Sequence, residues 1–63
     1  MPFVCVKMLD GRTQDQKRQL AEAITDAMVR ICGAKAEGTT VVIEEHARED
    51  WAVGGTMVAD RPS

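Results

Sequence analysis

Aromatic side chains are almost missing from this chain. Of its 63 residues only Phe3 and Trp51 are aromatic, and tyrosine is absent. An apolar content of 44% therefore comes mainly from Val, Ile, Leu, Met and Ala. Rings on which bases could stack are lacking, and so is a basic groove. The net charge is −2, with both signs interspersed and no cluster of Lys and Arg. Nucleic acid is thereby excluded as a partner. Cysteine is scarce too. Cys5 and Cys32 both lie in apolar periodic segments, and no stretch reads as a signal peptide. That argues against a disulfide framework and makes a reduced, cytoplasmic setting the expectation. One histidine, His46, and no Cys-x-x-Cys spacing leave no set of metal ligands. No apolar run approaches the roughly 18 residues of a membrane-spanning helix. Internal repeats, low-complexity tracts and linkers are absent as well.

A chain this short makes one domain, spanning 1–63. At this size a domain buries only about 60% of the surface its unfolded chain exposes, which is marginal alone. Disulfides, a metal or oligomerisation are the usual supports. With the first two excluded, oligomerisation remains.

The elements follow from periodicity. Phe-Val-Cys-Val-Lys-Met-Leu over 3–9 is nearly continuous in apolar β-formers, the pattern of a strand covered on both faces. Asp10-Gly11 breaks it. Thr13 with Gln16 three residues on matches a capping box, and Asp15 suits a helix N-terminus. Leu20, Ile24, Ala27 or Met28, and Ile31 then form one helical stripe ending at Gly33. The helix is expected over about 14–32. A loop over 34–38 leads to a second strand, Thr-Thr-Val-Val-Ile-Glu-Glu over about 39–45. Trp51-Ala52-Val53, Gly54-Gly55 and Thr56-Met57-Val58 read as a hairpin over about 51–58. Strand, helix, strand is a βαβ unit with a right-handed crossover, in an α+β chain. One such unit leaves a sheet edge and a sheet face bare, so pairing of copies is expected.

Pro2 carries the chemistry. It follows Met1 directly. With Met1 removed, its nitrogen is a free secondary amine that can take and return a proton. Otherwise it is simply a proline opening an edge strand, where a missing N–H costs nothing.

The ordered set is Met-Pro, an apolar strand, Leu9-Asp10-Gly11-Arg12-Thr13, a helix opening Asp15-Gln16-Lys17, Val-Val-Ile-Glu-Glu, and Trp51-Ala52-Val53-Gly54-Gly55. At these spacings the chain resembles, over its full length, the 4-oxalocrotonate tautomerase family. The resemblance implies a βαβ fold with a C-terminal hairpin, assembled through dimers into a homohexamer. It implies a cytoplasmic isomerase that interconverts enol and keto forms of a small unsaturated 2-hydroxy or 2-oxo acid, in the breakdown of aromatic compounds. Neither metal nor organic cofactor is implied, nor any membrane or nucleic-acid partner. Pro2 would be the base and then the acid. Arg12 would bind a substrate carboxylate, which guanidinium matches bidentately. Trp51 would form an apolar wall, with Leu9 and Phe3 adding to it.

One position departs from the family pattern. Relatives that act on dicarboxylates carry a second arginine at the start of the second strand, where this chain has Thr40. Thr40 would donate one hydrogen bond without charge, which brings a dicarboxylate substrate into question. Alternatives therefore stay open: a non-catalytic structural subunit, or a decarboxylase or hydratase on the same scaffold. The other candidates read as structural. Glu44 and Glu45 alternate faces and read as solvated strand-end acids. His46 has no second ligand, Cys5 reads as a small buried apolar residue, and Cys32 lies where the helix dipole disfavours a thiolate.

Overall fold

A computed structural model describes residues 2–62. Met1, on whose removal the proline chemistry depends, lies outside the described residues, as does Ser63. Strand β1 is Phe3–Leu9, helix α1 is Gln14–Cys32, and strand β2 is Thr40–His46. Short strands β3, Ala52–Val53, and β4, Thr56–Met57, close the chain. Single 3₁₀ turns sit at Ala36–Gly38, Arg48–Asp50 and Val58–Asp60.

The helix starts where its cap dictates. The Gln16 N–H donates to the Thr13 hydroxyl at 3.1 Å, and the Thr13 N–H donates to the Gln16 side chain at 2.9 Å. Two otherwise unpaired donors are thus satisfied. Gly33 ends it, with its own N–H on the Val29 carbonyl and that of Ala34 on the Met28 carbonyl. The helix then crosses back so that β1 and β2 pair in parallel, Phe3 opposite Thr40 and Leu9 opposite His46.

Register and pleat sort the side chains. Val4, Val6 and Met8 share a face with Val41, Ile43 and Glu45, and α1 covers it. Phe3, Cys5, Lys7 and Leu9 share the opposite face with Thr40, Val42, Glu44 and His46. Among the described residues this second face is largely bare: Phe3, Cys5, Lys7, Thr40 and Glu44 are exposed on it, Cys5 against its reading from the sequence as buried. The strand expected to be covered on both sides is covered on one.

Among the described residues no side chain is buried. Phe3 is 66% exposed and Ile31 70%. Ile31 lies on the apolar stripe in the last turn of the helix, one residue before its end at Cys32. The radius of gyration is 14.8 Å, against about 11 Å for a compact domain of this length. The hairpin β3–β4 turns at Gly54-Gly55, with φ of 62° and 84°, a left-handed pair that suits a two-residue turn.

Candidate active site

The sheet has two ends, and the five candidate residues divide between them. At the first end stand Pro2 and Thr40. Pro2 is half-buried, and its carbonyl accepts the Thr40 N–H at 3.0 Å. This bond adds a rung ahead of the Phe3–Thr40 pair, so β2 holds Pro2 by its main chain. Thr40 itself is exposed. Phe3 follows Pro2 on the bare face and extends an apolar surface beside it.

At the other end stand Leu9, Arg12 and Trp51. Leu9 is half-buried opposite His46, and the Asp10 N–H donates to the His46 carbonyl at 3.0 Å, carrying the ladder one rung past the strand. The chain then turns through Gly11 at φ 121°, a conformation that L side chains rarely adopt. Arg12 leaves this turn exposed. Its side chain lines a cleft of about 220 Å³ with Met8, Gln16, Lys17 and Leu20. Trp51 meets the His46 ring edge-on, centroids 5.9 Å apart at 67°. Its carbonyl accepts the Val58 N–H at 2.8 Å, which fixes the base of the hairpin.

Within one chain the two ends do not meet. The strand between them is about 20 Å long, far more than a small acid spans. Arg12 and Trp51 are brought to the same end. Pro2 is not brought to them.

The bare face carries a short polar chain. The Lys7 ammonium lies 3.9 Å from the Glu44 carboxylate, and His46 Nε2 lies 3.5 Å from the same oxygen of Glu44. His46 thus touches both Glu44 and Trp51.

Glu45 is the residue that sequence reasoning misplaced. It was expected to be solvated, yet it faces the helix and its Oε1 accepts a hydrogen bond from Lys17 Nζ at 2.6 Å. Its pKa is held below the ordinary value of 4.5, chiefly by that hydrogen bond. Partial burial acts in the opposite direction, and the Lys17 charge and the backbone N–H groups of Gly11 and Arg12 add to the lowering. The signal was present in the alternation. Val41, Ile43 and Glu45 fall on one face, so Glu45 had to share the surface of its apolar neighbours.

A family model described as "Tautomerase enzyme" matches residues 2–61. The chain belongs to the tautomerase family. A relative from Bacillus subtilis strain 168, the "2-hydroxymuconate tautomerase", is 47% identical over 60 residues, covering 95% of this chain and 97% of the relative. The crystal structure of YwhB, a homologue of 4-oxalocrotonate tautomerase, superposes with a TM-score of 0.93 at 44% identity, covering 97% of this chain and 100% of that one. A heterohexameric 4-oxalocrotonate tautomerase from Chloroflexus aurantiacus J-10-fl superposes with a TM-score of 0.89 at 30% identity, covering 95% and 97%. The fold expected from the resemblance is therefore that of this tautomerase-family chain: a βαβ unit with C-terminal strands. Among the described residues no helix is long and apolar enough to cross a membrane.

Proposed function

We propose that this tautomerase-family protein interconverts the enol and keto forms of a small unsaturated 2-hydroxy or 2-oxo acid, using Pro2 as the proton carrier once Met1 is removed. The neutral nitrogen of Pro2 takes the proton of the enol hydroxyl. The oxygen's electron pair forms the carbonyl, the carbon–carbon double bond shifts along the conjugated chain, and the proton returns from the proline to carbon. One proton moves and nothing else is gained or lost. No metal or organic cofactor is needed for these steps.

A base working near pH 7 must be neutral there. An ordinary α-amino group titrates at about 7.7–8.0, and a secondary amine is generally more basic, so the site must disfavour the ammonium form. An apolar wall of Trp51, Leu9 and Phe3 would do so by desolvation, and the Arg12 guanidinium by repulsion. Arg12 also binds the substrate carboxylate.

Assembly supplies the missing proximity. Two chains paired antiparallel at their sheet edges set the Pro2 end of one beside the Leu9–Arg12 end of the other. Two of our observations support such pairing: no described side chain is buried within the chain, and Phe3 and Ile31 stand out of it. We take the assembly to be a homohexamer built from dimers.

The observation that carries the reading is the half-buried Pro2 held in the ladder by the Thr40 amide at 3.0 Å. The test is to titrate the Pro2 nitrogen by ¹⁵N NMR in the Met1-processed protein. Its pKa should coincide with the acid limb of kcat/KM against pH, since that limb reports the free enzyme's base. A limb that does not track the proline would assign the base elsewhere.

A further inference from the structure

We propose that Glu45 is a positioning residue for Arg12: from β2 its carboxylate anchors the turn that carries the arginine to α1. The inference rests on Arg12 being the carboxylate contact. Three segments meet at Glu45. Lys17 reaches it from the first turn of α1, its Nζ 2.6 Å from Oε1. The backbone N–H groups of Gly11 and Arg12 in the turn add to the lowering of the Glu45 pKa, and Lys17 lines one cleft with Arg12. Glu45 stands opposite Met8, which with Arg12 and Lys17 lines the cleft. Both side chains of the pair are mostly shielded, with 23% of Lys17 and 25% of Glu45 exposed.

Helix chemistry does not account for the lysine. A cation in the first turn of a helix opposes the macrodipole, which favours acids there. Lys17 gains its stability from the acid on β2. Remove that acid's charge and two things change together. The N–H groups flanking Arg12 lose an anionic acceptor, and an unpaired ammonium is left beside the guanidinium in one cleft. Both displace Arg12 from the direction in which it meets a carboxylate, and neither moves Pro2 itself. The expected signature is in substrate binding, not in the proton-transfer step.

The test is a double-mutant cycle on the ketonisation of an enol acid, with assembly and thermal stability measured alongside. Glu45→Gln should raise KM about tenfold while kcat stays within about twofold. In an Arg12→Ala background the same substitution should change kcat/KM by less than about twofold, because its route of action is gone. The charge-swapped pair Lys17→Glu/Glu45→Lys should restore stability but not KM, since a lysine at position 45 offers the Gly11 and Arg12 N–H groups no acceptor. Glu45→Asp, which keeps the charge on a shorter arm, guards against a variant that fails to fold and should raise KM by less than Glu45→Gln. Equal losses in both backgrounds, or a swap that restores KM with stability, would overturn the proposal in favour of a structural ion pair. A harmless Glu45→Gln beside a damaging Arg12→Ala would overturn it and leave the Arg12 reading standing. A harmless Arg12→Ala would overturn both.

Discussion

The amide of Thr40 donates to the carbonyl of Pro2 at 3.0 Å. The first residue of β2 is therefore bonded to the residue proposed to carry the proton. The exposed Thr40 side chain stands where the resemblance implies a second arginine in relatives that act on dicarboxylates. A substitution at this position changes the side chain and leaves the main-chain bond in place.

Thr40→Arg should therefore leave the ladder intact and alter selectivity. A hydrogen bond to a charged group contributes about 1.5–3 kcal/mol, so kcat/KM for an enol with two carboxylates should rise by about one to two orders of magnitude relative to one with a single carboxylate. Competition between the two acids measures the ratio. An unchanged ratio would remove position 40 from substrate recognition.

Arg12→Ala should lower kcat/KM for an acid substrate by about ten- to a hundredfold. Arg12→Lys should recover little of it, because a point charge does not reproduce the planar fork of guanidinium. Steady-state kinetics on both variants decides this. Full recovery by lysine would reduce the role of Arg12 to charge alone.

Phe3→Asp should dissociate the assembly. Phe3 is 66% exposed in the chain on a face with no cover of its own. Burying a phenylalanine contributes about 1.5–3 kcal/mol, and a carboxylate in its place adds a desolvation cost. Sedimentation should move from a species well above monomer to monomer, with activity lost in parallel. An active monomer would contradict a site shared between chains.

Acid should weaken the fold partly through Glu45. Its folded pKa lies below its ordinary value of 4.5, so its contribution is complete above that value. The contribution is lost as pH falls through the folded pKa. Thermal melts taken from neutral pH down to about pH 3 should show a shallower acid-side decline in Glu45→Gln than in the parent. Parallel declines would mean that Glu45 is paired equally well in the unfolded chain.

The helix was the most legible element, because its signals are local. Thr13 and Gln16 cap each other within one turn, and Gly33 stops the chain three residues past Arg30. Strand β2 begins one residue later than the pattern suggests, for a physical reason. The Thr39 N–H and hydroxyl both bond back into the preceding turn, at 3.1 Å to Ala36 and 2.8 Å to Lys35. At its far end His46 joins the ladder through Asp10. Long-range relationships were harder to read. The Lys17–Glu45 pair joins residues 28 positions apart, and composition says nothing about such a partner. Ile31 fits the stripe by angle yet stands exposed, which its spacing does not show. The candidate residues could be named from the sequence. Which residues stand at which end of the sheet could not be read there, because spacing along the chain does not give the strand register that sets Pro2 and Leu9 a strand's length apart.

The central claim is that Pro2, freed of Met1, moves the proton. The most direct measurement is the rate of ketonisation of a 2-hydroxy enol acid by protein whose Met1 removal is confirmed by intact mass, compared with Pro2→Ala of the same mass state. The account predicts turnover by the parent and a loss of about 10²–10⁴-fold in Pro2→Ala, with assembly unchanged. Equal turnover by an intact, equally assembled Pro2→Ala protein would contradict it.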